Sequence, residues 1–201
     1  MKPIFIAIII LCLFTIGNAQ PSSSAQRSSD DEREKLASAV TKEDWKEVAI
    51  LSKQYLEKLQ AEDSEGTLAR LRFVFLFSSA GRVTLGEMTY NQLQSEVNPM
   101  VGQEVQLPFG KIVTECRGNP GAICFPAKSN FDVSVALLNS KGTYIHAFVY
   151  ANLREKFDPS GHIGEFASLR GVVDSIELNP NQSTIWIMRV FLKNGLIVTN
   201  K

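Results

Sequence analysis

The segment Phe131-Asp132-Val133-Ser134-Val135-Ala136-Leu137-Leu138-Asn139-Ser140-Lys141-Gly142-Thr143-Tyr144-Ile145-His146-Ala147-Phe148-Val149-Tyr150 decides the fold. Its two halves alternate with a period of two, the spacing of half-buried strands. Between them, Asn139-Ser140-Lys141-Gly142-Thr143 has the composition of a type I turn ending in a glycine that takes φ > 0, the mark of a three-residue hairpin loop with a G1 bulge. That turn sets Asn139 opposite Thr143. Counting outward, Phe131, Val133, Val135 and Leu137 share one face with Ile145, Ala147 and Val149. Asp132, Ser134, Ala136 and Leu138 share the other with Tyr144, His146, Phe148 and Tyr150. Slipping by one residue would mix the two sets. The first face is expected to be core and the second a mixed aromatic and polar surface.

Further strands flank this hairpin. Glu104 to Glu115 carries Val105, Leu107, Phe109, Ile112 and Val113, with a bend expected at Pro108 and Gly110. Leu169 to Leu178 and Ile185 to Leu192 are joined by the turn Asn179-Pro180-Asn181-Gln182-Ser183. Asn194-Gly195 predicts a tight type I′ hairpin into Leu196 to Thr199. Ile185-Trp186-Ile187-Met188 is apolar on both faces, as in a central strand covered by helix. The connection Asn152 to Phe166, with Pro159, Gly161 and Gly164, reads as loop.

The first half is helical. A short turn is expected over Glu32 to Ala39. Thr41 with Asp44 approximates a capping box, and Val40 with Trp45 a hydrophobic staple, so a helix is expected from Lys42, its stripe Trp45, Val48, Ala49, Tyr55, Leu56 and Leu59. A second helix, Glu65 to Ala80, is apolar nearly all round from Phe73 and should stop at Gly81 as C′. Thr89 with Gln92 and Met88 with Leu93 predict a third, Tyr90 to Val97, stopped by Asn98-Pro99.

At the N-terminus, Met1-Lys2, the apolar run Ile4 to Ile16 and Gly17-Asn18-Ala19 have the layout of a secretory signal peptide cleaved before Gln20. The run is short for a bilayer span, and Leu11 before Cys12 does not fit a lipoprotein signal. The organisation expected is signal 1–19, disordered Ser-rich linker 20–29, helical segment 30–98 and β-domain 99–201. The mature chain is expected to be exported and to lack a transmembrane segment. Cys116 and Cys124 would then be its only cysteines, in an oxidising compartment, and are expected to form a disulfide. Their spacing fits neither a C-x-x-C redox motif nor a zinc ribbon.

The strand order, with a bent first strand, a meander, a long connection and the segment Leu169-Arg170-Gly171-Val172-Val173, resembles an OB-type barrel over Val101 to Val198. That resemblance implies an α+β protein, a helical hairpin and short third helix on a five-stranded antiparallel barrel, with oligonucleotide or oligosaccharide binding on the outer face of strands two and three. The family places a helix where this chain has the 152–166 loop. The first two helices resemble a single tetratricopeptide-type hairpin over about 40 residues, without its Gly and Tyr or a second copy, and one hairpin makes no peptide groove.

Lys plus Arg and Asp plus Glu both number 21, so no basic excess favours nucleic acid. The sequence has no H-E-x-x-H, G-x-S-x-G or phosphate-binding glycine loop, and no cofactor or metal is implied. Asp158, Ser160, His162 and Glu165 could in principle supply acid, nucleophile and base, although a solvated loop with a turn-forming Asp-Pro-Ser-Gly is the favoured reading. Tyr144, His146, Phe148 and Tyr150 are the candidate ligand-binding residues, against a protein or an oligosaccharide; the other reading covers them with the helical hairpin. Two functions follow: a non-catalytic secreted or periplasmic binding or scaffold module using the barrel face or the 152–166 loop, or a small hydrolase or metal-dependent enzyme centred on 158–165. Oligomeric state is left open.

Overall fold

The computed structural model describes residues 24–59, 65–126, 130–181 and 186–199. Among them are four α-helices and a seven-stranded sheet around a shared hydrophobic core. The expected signal segment lies outside the described residues. No helix among those described is long and apolar enough to cross a membrane.

The helices are α1 (Ser24–Thr41), α2 (Trp45–Leu59), α3 (Glu65–Thr84) and α4 (Tyr90–Val97). α1 begins inside the stretch expected to be linker and replaces the expected short turn; Leu36, Ala37, Ala39 and Val40 bury one side of it. Because Val40 completes that apolar stripe, α1 runs through the expected cap. Thr41 ends it, its hydroxyl donating to the Ala37 carbonyl at 2.8 Å. Asp44 caps α2 instead, Oδ1 accepting the Glu47 N–H at 3.1 Å. Between them Glu43 takes φ 54°. Its carboxylate accepts the Ser140 N–H at 2.7 Å, tying the helical turn to the sheet.

α3 passes through Gly81 rather than stopping there. It closes at Gly86, φ 73°, in a Schellman motif: the Glu87 N–H donates to the Arg82 carbonyl at 2.9 Å and the Gly86 N–H to the Val83 carbonyl at 3.0 Å. Gly81 serves packing, since a Cβ there would lie 2.5 Å from the Trp45 indole. The box at α4 forms as expected: the Thr89 N–H donates to Gln92 Oε1 at 2.8 Å and the Gln92 N–H to Thr89 Oγ1 at 3.3 Å. Glu96 then binds α4 to α3 by accepting from Arg82 at 2.9 Å and Ser79 at 3.1 Å.

The strands are β1 (Glu104–Gln106), β2 (Gly110–Val113), β3 (Ile123–Cys124), β4 (Asp132–Leu138), β5 (Ile145–Leu153), β6 (Phe166–Leu178) and β7 (Trp186–Thr199). Their order is β1-β6-β2-β3-β4-β5-β7, with β6 also paired to β7. This corrects the expected five antiparallel strands. There are seven, β2–β3 and β5–β7 run parallel, and the curled sheet forms no clear barrel. The bent first strand is present as β1 and β2, which pair in succession with β6 on either side of Leu107-Pro108-Phe109.

From Val133 to Leu137 and from Ala147 onward the hairpin keeps its faces but not its partners; Ile145, expected in the core, pairs with Leu138 across the bulge and is half-buried. Val135 pairs with Val149 and Leu137 with Ala147, two residues from the expected register. Two one-residue displacements add. The loop closes with Asn139 opposite Tyr144, whose carbonyl accepts the Asn139 N–H at 2.9 Å, and the bulge between Leu137 and Leu138 shifts β5 again. An even shift restores the alternation, so Val133, Val135 and Leu137 are buried with Ala147, Val149 and Ala151. Phe131, expected in this core, precedes β4 and is 45% exposed.

Asn194-Gly195 makes no hairpin. Asn194 takes φ 54° inside a continuous β7, where the registers with β6 and β5 both step by one residue. The left-handed residue suits a bulge as well as a turn, and a strand held on both sides cannot fold back. A Cβ on Gly195 would meet Leu153 at 3.0 Å and the Asn152 carbonyl at 3.1 Å. The connection after β5 contains only a 3-10 turn, Pro159–Gly161, as the loop reading expected.

Cys116 and Cys124 form a disulfide, Cα atoms 5.3 Å apart, beside the β2–β3 pair. Replacing both by Ser is expected to cost about 2–3 kcal/mol through loop-closure entropy. Urea unfolding of both proteins measures this; coincident midpoints would show that the loop contributes nothing.

Candidate functional site

The expected aromatic row is divided by helical cover. Tyr144, in the loop before β5, is 43% exposed, whereas His146 is 0% exposed. Phe148 and Tyr150 are half-buried, alternating with buried Ala147, Val149 and Ala151. Their ring centroids lie 6.2 Å apart at 29°. Tyr150 continues the row onto β7, 5.4 Å from Phe191 at 19°. The parallel register explains this, setting Phe148 beside Arg189 and Tyr150 beside Phe191. Arg189 lies over the Trp186 ring at 4.3 Å and pairs with Glu177 at 3.5 Å. Beyond Phe191, Lys193 pairs with Asp174 at 2.9 Å. The face is therefore an aromatic ladder with a balanced ionic border. Near-parallel rings at these separations offer one another their faces, leaving edges and partial faces to an incoming group.

Phe191, Trp186 and Arg189 escaped the sequence reading. Arg189 and Phe191 alternate along β7 and Trp186 belongs to the segment apolar on both faces, but nothing in that pattern names β5 as the neighbour.

His146 falls where β5 carries one more residue than β4 opposite it. Its ring lies 5.4 Å from Trp45 at 82° and 4.8 Å from Phe77. Trp45 and Phe77 meet edge to face at 5.4 Å, so α2, α3 and β5 join at three rings. Burial lowers the imidazole pKa from 6.5 to about 4. Of the expected ligand-binding set, His146 belongs to the joint beneath the helices.

Asp158, Ser160, His162 and Glu165 come together as two separate pairs. Asp158 Oδ1 accepts from the Ser160 hydroxyl at 2.7 Å and the Ser160 N–H at 3.0 Å. These bonds, the hydroxyl first, hold its carboxyl below the usual carboxylate range. His162 Nδ1 meets Glu165 Oε2 at 2.8 Å, its ring 5.1 Å from Phe157. The Ser160 proton is thus given to Asp158, and the imidazole is held by Glu165. This geometry caps a 3-10 turn and braces a loop. Among the described residues no three His, Cys, Asp or Glu side chains group as a metal site. A cleft of about 500 Å³ between α2, α3 and the turn after α4 has an apolar floor including Leu56, Leu68, Phe75 and Met100, with Lys53 and Arg72 among the polar residues lining it.

No family model, curated protein or solved structure matches the chain.

Proposed function

We propose that this chain is an exported, non-catalytic binding module that holds a protein partner against the Phe148–Tyr150–Phe191 face. The observation that carries the reading is the half-exposed ladder of three stacked rings that runs across the neighbouring strands β5 and β7. Large aromatic side chains in a polar border are what protein interfaces use as anchors. The OB-type reading points the same way, since its ligands sit on the outer side of the two strands that are β4 and β5 here. The loop 154–165 is a second contact surface. Ring edges favour a protein partner over a sugar, which stacks on open ring faces. Export is supported by the N-terminal pattern and by the disulfide. N-terminal sequencing of the protein from exporting cells is expected to begin at Gln20; a chain that retains Met1 and Lys2 would refute cleavage.

Photo-crosslinking from position 150 in the exported protein is expected to trap a defined partner. Tyr150→Ala with Phe191→Ala should weaken that complex at least about tenfold, the scale of a hot-spot loss, with the fold checked by circular dichroism. Equal binding by both proteins would remove the aromatic face from the proposal. A glycan array in which binding disappears with the same changes would make the ligand an oligosaccharide. The hydrolase reading draws on the His162–Glu165 contact. It would displace the binding reading if a hydrolase panel showed an activity that His162→Ala abolishes.

A further inference from the structure

The protonation state of His146 follows from its neighbours. Thr84 has one hydroxyl proton and gives it to the Gly81 carbonyl at 2.6 Å. Its oxygen is then the acceptor toward His146 Nε2, a long contact of 3.4 Å, so the ring carries its proton on Nε2. Nδ1 is left as a buried lone pair without a hydrogen-bond partner. A proton added there would put a full charge and an unpaired N–H among Trp45, Phe77 and backbone.

The charged groups of the surrounding elements are engaged elsewhere or exposed. Lys46 and Glu47, beside Trp45 on α2, are exposed, as are Lys141 and Tyr144 in the loop leading to β5. Glu43 in the α1–α2 turn accepts the Ser140 N–H. Arg82 on α3 holds Glu96, and Arg189 on β7 lies over Trp186 and pairs with Glu177. Among the described residues no carboxylate is paired with the His146 ring.

We propose that His146 makes the seating of α2 and α3 on the sheet acid-labile: protonation at Nδ1 drives the ring out of the Trp45–Phe77 joint and loosens the helices from β5. The direction follows from linkage. A folded-state pKa of about 4 below the free value of 6.5 means that the opened chain binds the proton more readily. The seating is complete above pH 6.5 and weakens as pH falls toward about 4.

The chain has two tryptophans, so Trp186→Phe leaves Trp45 as sole reporter at the joint. In that background, urea unfolding followed by Trp45 emission is compared with and without His146→Phe from pH 7.5 to 4.5. The opening constant of the histidine protein is expected to rise by up to about tenfold per pH unit beyond any rise in the phenylalanine protein, one proton's worth. Parallel pH dependences would overturn the proposal. If the phenylalanine protein does not fold, ring NMR of the unaltered protein decides. The His146 signals should keep the neutral Nε2–H pattern until the fold opens. A His146 ring that protonates near pH 6.5 while the fold stays closed would overturn the proposal.

Discussion

Trp45→Ala is expected to lower the unfolding free energy by about 3–5 kcal/mol, the range for truncating a buried large aromatic side chain. Trp45 is 3% exposed and lies against Phe77, His146 and the backbone of Gly81, so its loss opens a void where α2 and α3 meet the sheet. The Gly81 contact supplies a sharper test. A Cβ at 81 would sit 2.5–2.8 Å from three indole atoms, so Gly81→Ala should destabilise the native protein by about 1–3 kcal/mol through overpacking. Without the indole that clash disappears and the helix propensity of alanine remains, worth about 1 kcal/mol over glycine. In the Trp45→Ala protein, Gly81→Ala should therefore stabilise. The four urea curves of this cycle measure the coupling. Additive effects would mean that the indole does not rest on α3.

Gly110→Ala is expected to cost at least about 3 kcal/mol, the upper end of overpacking, or to prevent folding. The new Cβ would lie 2.1 Å from the Gly121 carbonyl oxygen, and both groups are held by backbone pairing. On one side, Gly110 begins β2 opposite Ala167 of β6. On the other, the Gly121 N–H donates to the Ala136 carbonyl at 2.7 Å, and β3 follows in parallel register with β2. Relief requires parting β2 from the 121–124 segment, which also carries Cys124. Thermal unfolding should show the loss, and dithiothreitol should reduce the Cys116–Cys124 bond faster than in the native protein. Native-like values for both would show that the sheet yields there at little cost.

The features legible in the sequence were those settled within one or two turns of chain. Thr89 and Gln92 sit three residues apart and bond each other whatever lies beyond. Asp44, by contrast, was read as the far end of a box begun by Thr41, because Thr-x-x-Asp and Asp-x-x-Glu overlap there and only the burial of Val40 chooses between them. Gly81 and Asn194-Gly195 went astray for a related reason. A glycine that ends a helix and one that admits an indole carry the same letter, and a left-handed asparagine serves a hairpin or a bulge alike. The site divided in the same way: Phe148 and Tyr150 were visible from alternation, while the Phe191 that extends their row is a sequence-distant neighbour.

By itself the sequence determined the helical first half, the inward and outward faces of β4 and β5, and the partnership of Cys116 with Cys124, because periodicity, capping and the small number of thiols act locally or leave few alternatives. Only the tertiary structure decided that β7 runs parallel to β5, that β6 pairs with both β1 and β2, and that the helices cover His146 but leave Phe148 and Tyr150 half open. Those outcomes depend on which apolar surfaces compete for the same cover. That competition is resolved by packing among residues far apart in the chain.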